Sequence, residues 1–146
     1  MQSIPQVKVE TSSSIITINN EGVGHIHYKD YTVYDLLQQE ENLNALNIIT
    51  KGIHTPFVIT AGGSVVFTKK AKDNSILNST ISPVSAYALI ATNFAYRLIA
   101  QFYIKIHKPA LPFKIFAEEK DGFEWCKQFV IKKESPSPYK IETFQQ

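Results

Sequence analysis

The stretch from Pro83 to Phe129, PVSAYALIATNFAYRLIAQFYIKIHKPALPFKIFAEEKDGFEWCKQF, constrains the fold most, because start and stop signals mark nearly every junction in it. Val84 to Ala91 is almost entirely apolar and predicts a central strand. Thr92 or Asn93 then caps a helix on which Phe94, Leu98, Ile99, Phe102, Tyr103 and Ile106 recur at helical spacing. Arg97, Gln101 and Lys105 take its polar side. Pro109 forbids continuation, and Lys105, His107 and Lys108 sit where cations favour a helix C-terminus. Phe113 to Phe116 predicts a short strand, after which Glu118, Glu119 and Asp121 form the acidic first turn of a last helix. Its apolar stripe is Phe123, Cys126, Phe129 and Val130, with Trp125 at the edge.

Upstream, Ile15 to Ile18 and Val23 to Tyr28 flank the turn cluster Asn19, Asn20, Glu21, Gly22 and predict a hairpin. With Ile16, Ile18, Ile26 and Tyr28 inward, Thr17, His25 and His27 fall on the opposite face. A helix is predicted from Thr32, with Asp35 completing a variant capping box and Gly52 as its stop. Val33, Leu37, Ala45, Ile48 and Ile49 share one side of it, and the polar run Gln38 to Asn42 weakens the phase enough for a break. Pro56 to Ala61 is a short buried strand ending at Gly62 and Gly63. Thr68 caps a weaker helix reaching Ser79, on which Ala71, Ile76 and Leu77 are apolar and Lys69, Lys70, Lys72 and Asp73 solvated. Beyond Lys133, Ser135, Pro136, Ser137 and Pro138 break any regular element. A leading hairpin followed by alternating helices and strands means α/β, with a mixed sheet whose later strands run parallel.

The chain of 146 residues suits one domain with a core, since a domain of this size buries roughly 70% of its unfolded surface. Its boundaries are read as 14–133, with an N-terminal extension over 1–13 and an extended or disordered tail over 134–146. A formal charge of +2 does not supply the concentrated Lys and Arg face that nucleic acid requires. The single Cys126 cannot form an internal disulfide and reads as a buried reduced thiol. Pro83 to Ile106 is not a membrane span: Asn93, Arg97, Gln101 and Lys105 interrupt it, and a central charge costs about 2.5 to 3.5 kcal/mol. The opening MQSIPQVKVETSSS lacks the apolar region of a secretory signal, so a cytoplasmic protein is expected.

The order of elements, above all RLIAQFYIKIHKPALPFKIFAEEKDGFEWCKQF, resembles the small bacterial SpoIIAA-like proteins, relatives of the STAS domain and of the CRAL-TRIO lipid-transfer fold. The resemblance implies a mixed sheet of about five strands with helices mainly on one face. It also implies action by binding a partner, as anti-sigma-factor antagonists do, and not catalysis. In such antagonists a Ser or Thr at the start of the helix after the second core strand is phosphorylated. By position Thr68 takes that place, with Ser64 nearby, and a phosphate there would meet free backbone donors. The strand end TAGGSVVFTKKA departs from the switch pattern, lacking its acidic residue and Ser-Gly setting.

Other candidate sites come from residue type alone. Arg97, the chain's one arginine, with Lys69, Lys105 and Lys108, offers contacts to an anion; a solvated helix face is the simpler reading. His25 and His27 supply half of a zinc site and read better as strand histidines, so neither metal nor cofactor is expected. Gly62, Gly63 and Ser64 lack the Gly-Lys-Ser/Thr ending of a phosphate loop, and no Gly-x-Ser-x-Gly elbow exists. The expectation is a non-enzymatic interaction or regulatory domain, self-association as a homodimer included, that presents Tyr31, Tyr34, Tyr96 and Tyr103 to a protein partner. The alternative is a small-molecule or lipid carrier with an apolar cleft of Phe57, Phe94, Leu98 and Phe102.

Overall fold

The structure, a computed structural model, describes residues 7–107 and 109–131, except the side chains at 95, 99, 102, 103, 106 and 107. The expected tail over 134–146 lies outside the described residues, as do Lys108 and the side chains of Phe102 and Tyr103. In chain order the elements are β1 (Val7–Glu10), β2 (Ser14–Ile18), β3 (Gly24–Tyr28), β4 (Val33–Tyr34), α1 (Leu36–Thr50), β5 (Thr55–Ala61) and β6 (Val66–Phe67). There follow α2 (Lys69–Ile81), β7 (Val84–Ile90), α3 (Phe94–His107), β8 (Phe113–Phe116), α4 (Glu119–Cys126) and a 3-10 turn, Lys127–Phe129. Among these residues no helix is long and apolar enough to cross a membrane.

The main sheet has the order β1-β2-β3-β5-β7-β8. Its first three strands are antiparallel, and β5, β7 and β8 join in parallel. The predicted hairpin turn is closed by Asn19, whose Oδ1 accepts from the N–H groups of Glu21 and Val23 at 2.9 and 3.0 Å. The sheet has six strands, where about five were expected. The addition is β1, drawn from the segment read as an extension. Four residues, VKVE, with charges alternating, leave no apolar run to detect; charged side chains are also what keeps an edge strand from recruiting another chain.

Strand alternation builds a cluster on each face. On one, Ile16, Ile26, Tyr28, Phe57 and Val84 meet Ala45, Leu46 and Ile49 of α1 and Ala71 of α2. On the other, Val23, Val58 and Ala88 meet Cys126 of α4, with Phe116, Phe123, Trp125 and Val130 packed around them. The helices therefore do not gather on one face: α1 and α2 take the first and α4 the second. Adjacent residues Phe57 and Val58 of β5 belong to different clusters, so this strand is covered on both sides. In β7 the register shifts opposite Thr55 and Pro56, which pair with Val84 and Ala86 and leave Ser85 as the extra residue. This bulge lets Val84 and Ala88, four apart, serve opposite clusters. Gly24 is required by packing, since a Cβ there would collide with the Phe57 ring.

Helix α1 begins at Leu36 and not at Thr32, because Val33 and Tyr34 leave to form β4. The polar run does not break it. Gln39 and Asn42 point inward with partners: Gln39 Nε2 donates to the Ala71 carbonyl, Asn74 Nδ2 donates to Gln39 Oε1, and Ser14 Oγ donates to Asn42 Oδ1. Leu37 and Ile48, expected on the apolar side, are exposed, and Leu46 takes a buried position instead.

Candidate functional site

At the carboxyl ends of β3 and β5 two loops are tied together. The N–H of Tyr31 donates to the Gly63 carbonyl, that of Gly62 to the Tyr28 carbonyl, and that of Gly63 to Asp30 Oδ1, each at 2.8 Å. Tyr31 and Ser64 both sit in the left-handed region, at φ 60° and 58°, which side chains seldom adopt. The two chains continue as β4 and β6, a separate parallel ribbon with Val33 opposite Val66 and Tyr34 opposite Phe67. Tyr34 and Phe67 face the core, where each stacks edge-on to Tyr28 at 5.1 and 5.2 Å. Alternation turns Val33 and Val66 outward, 61% and 55% exposed. Tyr31 at the tip is 79% exposed, and Leu36 and Leu37, which follow β4 in the chain, are exposed as well.

Thr68 and Ser64 border this ribbon. Thr68 caps α2 as predicted, accepting from the Ala71 N–H at 3.2 Å. Its hydroxyl also donates to Asp35 Oδ1 at 2.7 Å. Asp35 is the N-cap residue of α1, so two helix starts are linked through one side-chain pair. The Thr68 hydrogen bond, followed by one from the Leu36 backbone, holds the Asp35 carboxyl below its ordinary range. Ser64 is exposed in its loop. A phosphate on Thr68 would displace this donor and meet the Asp35 carboxylate.

The other sequence-predicted residues are not assembled into one site. Lys69 pairs with Asp73 one turn on, at 2.7 Å. Arg97 Nη1 donates to the carbonyls of Ala91 and Thr92 at 3.0 and 3.2 Å, and its guanidinium lies 5.6 Å from the Phe94 ring centre. It thus closes the entry into its own helix. Lys105 is exposed two turns further along α3, about 12 Å away by helical rise. Of the proposed cleft, Phe57 is sealed in the core while Phe94 and Leu98 are exposed. Helical periodicity defined the stripe on α3 without defining which part of it meets the sheet. Two concavities lie elsewhere. One of about 90 Å³ is lined by Ile76, Tyr87, Leu111 and Phe113, and one of about 180 Å³ by Ile18, Ile49, Pro56 and Val130.

The histidine pair proves more organised than exposed strand residues would be. His25 Nε2 and His27 Nδ1 each lie 2.7 Å from Thr60 Oγ1, and Phe123 of α4 meets the His25 ring edge-on at 5.7 Å. Thr60, missed by sequence reasoning, is brought in by the parallel pairing that sets it opposite His27. Only the alternation of β5 could have hinted at it. Among the described residues no group of three His, Cys, Asp or Glu is placed to hold a metal ion. Cys126 is fully buried, and burial pushes its thiol up to about 12.

These features define an α/β protein with the SpoIIAA-like fold. A crystal structure of an uncharacterized protein of the DUF3478 family from Shewanella loihica PV-4, described as having that fold, is similar to this chain with a TM-score of 0.53. The two share 14% identity over 86% of this chain and 98% of that one. The chain belongs to the family described as Domain of unknown function (DUF7793), matched over residues 16–130. No curated protein matches it.

Proposed function

We propose that this SpoIIAA-like domain acts by protein contact and not by catalysis, through the outer face of the β4–β6 ribbon with Tyr31 at its tip, self-association being the first such contact. The observation that carries the reading is the apolar, uncovered surface made by Val33, Val66, Tyr31 and Leu37, on a ribbon whose other face is anchored in the core. Exposed apolar side chains scattered singly need no explanation, whereas contiguous ones mark a contact surface. Of the four tyrosines expected at such a surface, Tyr31 and Tyr96 are exposed and Tyr34 is buried. Among the described residues, the two concavities above, of about 90 and 180 Å³, fall short of the roughly 300 Å³ at which ligand pockets begin and so lend the carrier reading little support.

Sedimentation velocity over a wide concentration range tests the proposal. The wild type is expected to associate, and the double variant Val33→Lys/Val66→Lys to remain monomeric with an unchanged far-UV spectrum. Tyr31→Gly, which removes the ring from a backbone position that suits glycine, should weaken association as well. A wild-type chain that stays monomeric at the highest concentration and retains no partner from soluble extract of its own organism overturns the reading.

A further inference from the structure

Two imidazoles share one hydroxyl on the sheet face beneath α4. A threonine hydroxyl has a single proton to donate. With both rings neutral, Thr60 donates to an unprotonated nitrogen of one and accepts N–H from the other. One added proton leaves every group paired: the imidazolium donates to Thr60 Oγ1, and the Thr60 proton is aimed at the neutral ring. A second added proton ends this arrangement. Both rings then donate to Oγ1, the Thr60 proton loses its acceptor, and two cations stand with ring centres 6.2 Å apart in a half-buried setting.

We propose that His25, Thr60 and His27 form an acid-sensing relay that takes one proton readily and resists a second, and that the second proton loosens α4 from the sheet. The coupling to α4 runs through Phe123, which lies against His25 and belongs to the cluster of Val58, Ala88 and Cys126. From α4, Glu119 is the charge that favours protonation of His25. From β2 the cross-strand neighbours of His25 and His27 are Thr17 and Ile15, both uncharged. On β1, Lys8 and Glu10 lie one strand further along the same face, and Glu10 is paired with Lys29 at 2.7 Å. Burial already lowers the His25 pKa, Glu119 partly opposes this, and His27 adds to the lowering. For a group depressed in this way the stability is complete above the unfolded value, about 6.5, and is lost as pH falls through the folded one.

The chain's one tryptophan, Trp125, sits on α4 with its ring centre 4.7 Å from that of Phe129 and 5.7 Å from that of Phe116 on β8, so its fluorescence reports on the packing of α4 against the sheet. The full chain is titrated from about pH 8 to about pH 4, a range that brackets the histidine value, with histidine ring signals followed by NMR alongside Trp125 fluorescence and far-UV circular dichroism. Two histidine steps more than about one pH unit apart are expected, with the Trp125 change at the lower step and helix content retained. His27→Gln removes the second cation, so the His25 step should move up while burial still holds it below the ordinary value, and Thr60→Ser, which keeps the hydroxyl, should preserve both wild-type steps. Independent titration of both rings near the ordinary value overturns the relay. A Trp125 signal that is flat throughout, or that is unaltered by His27→Gln, overturns the coupling to α4. If His27→Gln does not fold, the separation of the wild-type steps and the wild-type Trp125 profile decide alone. None of these readouts depends on whether the ribbon binds a partner.

Discussion

Thr68 uses its hydroxyl twice, accepting from the Ala71 N–H to cap α2 and donating to Asp35 at the start of α1. Its capping role was readable from the sequence, because a cap acts on an N–H only three residues away. The link to Asp35 was not, since 33 residues separate the two. Thr68→Ala is expected to lower stability by about 1 kcal/mol in urea denaturation, with Thr68→Ser recovering most of the loss. The same substitution removes the largest cause of the lowered Asp35 pKa. Stability linked to Asp35 is present above the unfolded carboxyl value of about 3.9 and is lost as pH falls through the folded one, so this acid sensitivity should diminish in the variant. Thr60 illustrates the opposite limit: nothing local in TPFVITA marks its hydroxyl, and its role exists only through β3.

Elements were recognised where local signals repeat and missed where they do not. The caps, the proline stop and the acidic first turn delimit α3, β8 and the start of α4 within a residue or two of the observed bounds, whereas the helix expected to carry Phe129 and Val130 ends at Cys126 and tightens into the 3-10 turn Lys127–Phe129. The two-residue strands β4 and β6 have no period to read, and β1 offers only four residues with alternating charge. Yet β1 has a definite task. Val9 packs against the first cluster, and the pairing of β1 with β2 covers an edge that carries Ile16 and Ile18. Deleting the chain through Glu10 exposes that edge. Light scattering should then show aggregation at concentrations where the full chain is stable, and unchanged scattering would mean that β2 tolerates a free edge.

At the scale of the whole molecule, the two clusters share one sheet and, in β5, neighbouring residues of one strand. Sharing a strand in this way is expected to couple their loss at neutral pH. Urea transitions followed by Trp125 fluorescence, which senses the α4 face, and by far-UV circular dichroism should therefore coincide. Separation at neutral pH would show that α4 docks independently. By itself the sequence determined the α/β class, the hairpin and the succession of strands and helices from Val84 to Cys126, because caps, proline stops and hydrophobic periods act over a few residues. Only the tertiary structure decided the six-strand order, the division of helices between two faces, the outward set of Val33 and Val66 and the meeting of two histidines at Thr60. Those depend on register and pairing between segments tens of residues apart, where a shift by one residue would turn every side chain to the other face.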